Sequence, residues 1–376
     1  MGIGAILNDR CYRDATNKLS CIRKDIEEKP IVIFGCGNLG KKISSYLLTQ
    51  KCNIVAFTDN NEHKWGMELT GIPILSPTDV ADKFANDAVF IVCVWSPERS
   101  YAIFKGQLDD LGVTNIVHAA SIMLLFPDDL LPYYHFQLPG FYLKHKNEIE
   151  AVYNMLADEE SKLQYLAHVN CRFTLNFEGL PPADTKNQYF PAGIINLGNK
   201  EVFFDAGAYN GDTLADFCER TKNVYSRYIA LEPDPANFIH LQEMIVSVDA
   251  HDVDTYLYAV GKESCQLKFD ANGGGSAGLS EGGDIEVTCV RIDDKFGDVA
   301  PTYLKFDIEG AELDALEGSH NTIEKYKPVM AICIYHLPDD LWTLPLYVKK
   351  KYPFYNIYVR THQYDGLDFV MYAIPE

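Results

Sequence analysis

Short apolar runs, each followed by a turn and then by apolar residues at helical spacing, recur through most of this chain. That alternation predicts strands buried on both faces of a sheet, with helices between them. In the amino-terminal part the runs are Ile31 to Phe34, Ile54 to Phe57, Ala88 to Val94 and Asn115 to His118. Further on they are Val202 to Phe204, Arg227 to Leu231, Thr255 to Val260, Tyr303 to Asp307 and Pro328 to Ile334. Asp339 to Lys350 reads as a helix, and Tyr355 to Arg360 and Asp368 to Ala373 as two closing strands around a turn containing Gly366. Between the two series, Leu143 to Arg172 has no strand pattern. Its Ile149, Val152, Tyr153, Leu156, Leu163, Tyr165 and Leu166 recur near helical spacing. The pattern predicts an α/β protein with a smaller unit over 1–125, a helical connector over 126–184, and a doubly wound sheet with a carboxyl-terminal antiparallel hairpin over 185–376.

Polar residues at the strand ends carry the candidate chemistry. Phe203-Phe204-Asp205 runs into Ala206-Gly207-Ala208-Tyr209-Asn210-Gly211-Asp212-Thr213, an acid followed by a glycine turn and a helix that Asp212 or Thr213 can cap. Gly207 and Gly211 suit close approach of the backbone to a ligand. The next strand ends in Glu232-Pro233-Asp234, and Glu232 follows Gly207 by 25 positions. That is near the offset at which an acid receives ribose hydroxyls. A third junction, Leu304-Lys305-Phe306-Asp307-Ile308-Glu309-Gly310-Ala311-Glu312, places Asp307 at a strand's carboxyl end, as either a ligand group or a helix cap.

These motifs, with Ala259-Val260-Gly261 and Tyr335-His336-Leu337-Pro338-Asp339-Asp340-Leu341-Trp342, closely resemble the FkbM-type methyltransferases over about 185 to 376. The resemblance implies a class I methyltransferase sheet and S-adenosylmethionine as methyl donor. Around the donor it places Asp205, Gly207, Gly211, Asp212, Thr213, Glu232, Ala259 and Asp307, although Asp205 could instead simply hold the glycine turn through backbone hydrogen bonds. It implies a small-molecule acceptor, most often a hydroxyl of a sugar or secondary metabolite. Methyl transfer to oxygen is an in-line displacement that releases one proton, so a base is expected. His336, after a strand's carboxyl end, is the first candidate, with Asp307 beside it, and His362 is the second. Alternatively His336 caps the next helix, or Asp307 and Glu309, with His336, hold a magnesium ion. Tyr189-Phe190-Pro191 is expected either against the donor or acceptor site or, by preference, in core packing. The glycine-rich stretch Asp270 to Asp284 reads as a hairpin tip, either folded over the acceptor or simply exposed.

The amino-terminal part carries its own fingerprint. Gly35-Cys36-Gly37-Asn38-Leu39-Gly40 is G-x-G-x-x-G between a strand and a helix, and Asp59 follows Gly37 by 22 positions. With Gly71-Ile72-Pro73-Ile74-Leu75, it resembles the Rossmann-like nucleotide-binding domains of sugar-modifying enzymes. Gly35, Gly37, Gly40 and Asp59 are therefore candidates for a nucleotide or nucleotide-sugar. The alternatives are a dinucleotide for an NAD(P)- or nucleotide-sugar-dependent oxidoreductase or isomerase, a scaffold whose binding function is lost and, for the whole protein, ligand binding without catalysis. No Tyr-x-x-x-Lys pair follows the fingerprint to favour hydride transfer.

Composition narrows the partners. With 33 Lys and Arg against 53 Asp and Glu, a formal net charge of −20 argues against nucleic acid or an anionic membrane surface. Ten cysteines without a C-x-x-C pair read as free thiols in a reducing compartment. No apolar run approaches the length of a membrane span, so a cytoplasmic protein is expected.

Overall fold

The computed structural model describes residues 2–95, 99–270, 278–279 and 285–376. The chain forms two compact units. One comprises 1–153, 163–183 and 363–367, and the other 154–162, 184–362 and 368–376.

In the first unit the strands are β1 (Ile31–Phe34), β2 (Ile54–Thr58), β3 (Glu68–Leu69), β4 (Ile72–Leu75), β5 (Val89–Val92) and β6 (Ile116–His118). They form one sheet in the order β3-β4-β2-β1-β5-β6, parallel except for the short β3–β4 pair. Every residue of β1 and β5 is buried, as continuous apolar runs require when helices cover both faces. This is the Rossmann-like sheet that the fingerprint predicts.

The second unit holds β7 (Val202–Ala206), β8 (Arg227–Leu231), β9 (Val253–Tyr256), β10 (Tyr258–Val260), β11 (Cys265–Asp270), β12 (Gly278–Leu279), β13 (Ile285–Val290), β14 (Tyr303–Phe306), β15 (Val329–Cys333), β16 (Tyr355–Thr361) and β17 (Phe369–Pro375). Seven of these make the main sheet, in the order β16-β17-β15-β14-β7-β8-β9. β15, β14, β7, β8 and β9 run parallel, and β17 and β16 close the sheet antiparallel, as the hydrophobic pattern predicts. β16 alternates buried and half-buried residues, whereas β17 between two neighbours is buried over Phe369 to Ala373. The strand expected over Thr255 to Val260 is instead two. Leu257, 42% exposed, separates β9 in the main sheet from β10, which joins a smaller sheet ordered β10-β13-β11-β12. The hairpin expected around the glycine-rich stretch is present as β11 against β13. Residues 271–277 and 280–284 of that stretch lie outside the described residues.

The helical segment at Leu143 to Arg172 is interrupted. Helices cover Lys146–Met155 and Glu159–Thr174, and between them the Ala157 amide donates to the Ile357 carbonyl at 2.8 Å. Asp158 restarts the second helix by accepting from the Ser161 amide at 2.7 Å, and it also pairs with Arg360 at 2.6 Å. Strand-edge bonding here outweighs the continuous helix that periodicity favours. Residues 126–184 contribute to both units.

Candidate functional site

β15, β14, β7 and β8 are four adjacent parallel strands, so their carboxyl ends share one edge of the main sheet, where open α/β sheets take ligands. Asp205 near the end of β7, Glu232 just after β8, Asp307 just after β14 and His336 shortly after β15 all reach that edge.

The glycine turn after β7 is bound to β8. Gly207 and Ala208 donate backbone N–H groups to the Leu231 carbonyl at 2.9 and 3.0 Å, and Tyr209 donates to Glu232 Oε2 at 2.8 Å. Asp234 donates to Glu232 Oε1 at 2.8 Å. Glu232 therefore shapes the turn, and burial raises its carboxyl to about 7 against the pull of those two N–H groups.

Both glycines are demanded by the protein itself. At Gly207 (φ +83°) a Cβ would lie 1.8 Å from the Asp307 carbonyl oxygen, and at Gly211 (φ +88°) it would meet Met244 Cβ at 2.9 Å. They do permit close backbone approach, but the partners seen are the β14 end and the Pro235–Ser247 helix. A Gly207→Ala chain is expected to lose at least the roughly 1–3 kcal/mol of left-handed strain, with the steric overlap added. A melting midpoint within a degree of the parent would refute that packing.

Helix Asp212–Thr221 starts without the side-chain cap predicted for it: Gly211 occupies the cap position. Asn210 Oδ1 accepts from the Asp212 amide at 3.1 Å, and Asp212 Oδ1 accepts from the Thr213 amide at 2.7 Å. Ala259 lies in β10 of the smaller sheet, opposite Cys289.

Asp205 is fully buried, and neither oxygen is open. Lys305 Nζ donates to Oδ1 at 2.8 Å and the Tyr228 hydroxyl to Oδ2 at 2.5 Å. The same Lys305 Nζ donates to the Gly207 carbonyl at 2.7 Å and lies 4.8 Å from the Tyr189 ring centroid. Burial works against the Lys305 charge, but contact with Asp205 and proximity to Asp307 hold its pKa above the ordinary value. Asp205 thus supports the turn, through a buried ion pair with Lys305 that also holds the Gly207 carbonyl.

Asp307 keeps 23% of its side chain open. Its Oδ2 accepts from the Tyr189 hydroxyl at 2.7 Å, so Tyr189 is part of this cluster as well as of the core. Burial opposes its charge, but Lys305 and His336 prevail and lower its pKa. His336 is almost fully buried, its ring centroid 4.1 Å from that of Tyr335. Nδ1 lies 2.8 Å from Glu312 Oε1, which also accepts from the Ile308 amide at 2.9 Å. Nε2 has no hydrogen bond among the described residues and faces Asp307 Oδ1 at 3.4 Å and Glu309 Oε1 at 3.7 Å. Burial would discharge the ring, yet Glu312, Glu309 and Asp307 together raise its pKa to about 10. Burial likewise raises Glu309 to about 8, with His336 opposing.

Asp307, Glu312 and His336 each bring a ligand atom within 4.8 Å of the others. An ion bound at roughly 2.0–2.2 Å needs its ligand atoms gathered on one side of it. Here Glu312 sits on Nδ1 and Asp307 faces Nε2, across the imidazole ring. The arrangement fixes and charges the ring, and it supplies no argument for magnesium. His362 is elsewhere: its Nδ1 is 2.7 Å from the Asp184 carbonyl and its Nε2 is 2.6 Å from the Tyr372 hydroxyl, so both nitrogens are occupied.

Lys305, Tyr228 and Glu312 carry this geometry, and the sequence reading gave them no role. Lys305 had a signal, a charge inside an apolar strand, which is seldom buried unpaired.

In the first unit, Gly35 and Gly40 are filled by their surroundings. A Cβ at Gly40 would lie 1.9 Å from the Gly35 carbonyl, while one at Gly37 would meet nothing within 4 Å. Asp59 again holds its glycine turn, through the Cys36 amide at 3.0 Å, and it also binds Lys64 Nζ at 2.7 Å and the Asn61 amide at 2.9 Å. The two units thus place an acid after the second strand in the same supporting contact.

Residues 205–363 match the family model of the methyltransferase FkbM domain, and residues 27–115 match one described as C2185-like, N-terminal. The crystal structure of methyltransferase FkbM from Methylobacillus flagellatus KT shares the fold, with TM-score 0.77 at 22% identity over 99% of this chain and 96% of that one. The redox-sensing transcriptional repressor Rex of Thermosipho africanus is 26% identical over 96 residues, 25% of this chain and 46% of the repressor. Rex of Bacillus subtilis is 26% identical over 145 residues, 36% and 66%. The chain thus spans about half to two thirds of these curated relatives. Among the described residues, no helix is long and apolar enough to cross a membrane.

Proposed function

Starting from a chain whose residues 205–363 are a methyltransferase FkbM domain, we propose that it transfers a methyl group from S-adenosylmethionine to a hydroxyl of a small molecule, a sugar or related metabolite. The observation that carries this reading is the single sheet edge holding Glu232, Asp307 and His336, whose Nε2 has no hydrogen bond among the described residues and faces two carboxylates. When bound, the donor supplies a methyl on a positive sulfur. The protein's part is to orient the two reactants, favour the cation and receive one proton.

Glu232 accepts one N–H on each oxygen and keeps acceptor capacity for ribose hydroxyls. Asp307, ionised and partly open, favours a cationic ligand. Glu312 fixes the imidazole through Nδ1, which leaves Nε2, beside Asp307, as the nitrogen to receive the acceptor proton. Because the surrounding carboxylates hold a proton on that ring, His336 works as a base once it is discharged, and another cation in the same cleft drives it that way. With donor and acceptor bound, His336 Nε2 would take up the proton that the acceptor hydroxyl gives up as its oxygen gains the methyl group.

Donor binding is tested by calorimetry with S-adenosylhomocysteine, and absence of binding overturns the proposal. Glu232 with a pKa near 7 becomes ionised as pH rises from 6 to 8, and ribose hydroxyls bond better to the carboxylate. Affinity is therefore expected to rise several-fold over that interval, and the slope to vanish in Glu232→Gln. Glu232→Ala is expected to bind about ten- to a hundred-fold more weakly, the worth of a charged hydrogen bond. Unchanged affinity would remove Glu232 from the site. Labelled methyl transfer to a panel of sugars and nucleotide-sugars then identifies the acceptor.

The amino-terminal unit accompanies this reading as a nucleotide-binding module. Support comes from its glycine turn between a strand and a helix, and from the open backbone at Gly37.

A further inference from the structure

The smaller sheet of the second unit brings two cysteines face to face. β11 and β13 run antiparallel, and their register sets Cys265 opposite Cys289. Directly opposed residues point to the same face and sit roughly 4.5–5.5 Å apart at Cα, inside the roughly 4.4–6.8 Å that a disulfide spans. Side chains fix this register as well as the ladder does. On one face Leu267 and Phe269 pack with Ile285, Val287 and Cys289, and on the other Gln266 Nε2 donates to Thr288 Oγ1 at 3.0 Å. A slip of one residue would put both sets on the wrong side. No other ladder among the described residues sets two cysteines opposite each other.

The two thiols differ in access. Cys265 opens β11 and is exposed, whereas Cys289 is 2% open. Burial, with Cys265 adding to it, pushes the Cys289 thiol up to about 12. A Cβ on Gly261 would meet Cys289 Sγ at 2.8 Å, so the sulfur is walled by backbone on the side of β10. A reagent in solution therefore meets Cys265 first, and Cys289 lies beside whatever forms there.

We propose that Cys265 and Cys289 are a redox-modification site, closing to a reversible disulfide when the protein meets a low-molecular-weight disulfide. Cys265, as its thiolate, attacks one sulfur of the reagent, a mixed disulfide forms, and one small thiolate leaves. Cys289 then gives up its proton and attacks the Cys265 sulfur, and the second small thiolate leaves. Two protein thiols are oxidised to one disulfide, the reagent is reduced to two small thiols, and the two cysteine protons end on the released sulfurs. The bond fastens β11 to β13 where β11 begins, and it constrains the unfolded chain. A thiol reductant reverses it by the same steps, as suits the transient disulfides of reducing compartments.

The full chain is incubated in its folded state with hydroxyethyl disulfide, which is uncharged, then unfolded, alkylated, digested and weighed by mass spectrometry. A peptide pair joining Cys265 to Cys289 is expected, with both thiols recovered after dithiothreitol. Cys21, exposed on helix Asp9–Glu28, is the single-thiol control and is expected to stop at the mixed disulfide. The oxidised chain is expected to melt a few degrees above the reduced one. Cys265→Ser changes an exposed side chain, so it should keep the midpoint of the reduced parent and show neither the joined peptides nor the rise. If Cys265 stops at the mixed disulfide as Cys21 does, stays unmodified, or joins a different cysteine, the pairing is overturned. A midpoint that falls on oxidation would overturn the fastening.

Discussion

A Lys305→Met chain is expected to be about 3–5 kcal/mol less stable than the parent, the cost of stranding one member of a buried ion pair. The residue lies in a central strand with its side chain 2% exposed, against an Asp205 that is 0% exposed. Methionine fills a similar volume but leaves the Asp205 carboxylate with only the Tyr228 hydroxyl, and it removes the donor from the Gly207 carbonyl. The first loss falls on a carboxylate that water cannot reach, the second on a part-buried carbonyl. Asp205→Asn in the same chain removes the stranded charge, so the double variant should regain a large part of the loss, as contacting residues are not additive. Denaturant midpoints for the four members of this cycle measure it. A single variant within about 1 kcal/mol of the parent would show that the pair contributes no more than a surface bridge. The turn depends on the same lysine, so S-adenosylhomocysteine binding should weaken alongside stability in Lys305→Met.

His336→Ala is expected to slow methyl transfer by roughly 10²–10⁴-fold, the usual worth of a positioned base. S-adenosylhomocysteine affinity should change far less, because the loss concerns the acceptor proton. Three carboxylates raise the imidazole to about 10. The base form therefore grows as pH rises, and the parent rate should climb through pH 7 to 9 while that of His336→Ala stays nearly level. Glu312→Gln separates positioning from proton transfer. Without the carboxylate on Nδ1 the ring loses its anchor and its largest source of positive shift. The rate should fall, and the remaining pH dependence should move to lower pH. Equal turnover in parent and His336→Ala would exclude this residue as the base.

Much of the site was legible because strand ends are legible. Asp205, Glu232 and Asp307 each terminate or follow an apolar run, and His336 follows the fourth. Parallel strands with helical crossovers put all such ends on one edge. Less legible was which partners each side chain meets. Asp205 had the position of either a ligand group or a support for its turn, and the fold gives it Lys305 and Tyr228, which are 100 and 23 positions away. Asp59 is similarly occupied. Tyr189, expected in the core or against the site, reaches Asp307 across 118 positions. Glu312 appeared to be one acid of a helical turn, yet the fold makes it the partner of His336.

Elements and topology class followed from local pattern, because an apolar run must be buried and a glycine turn must bend wherever the chain places them. The sequence by itself therefore determined an amino-terminal Rossmann-like sheet, a seven-stranded sheet with its closing hairpin, and the edge at which a ligand can sit. Tertiary structure alone decided which acids remain available to that ligand. Availability is settled by the donors that reach each carboxylate in the folded chain. Those donors come from distant strands, whose register no local pattern encodes.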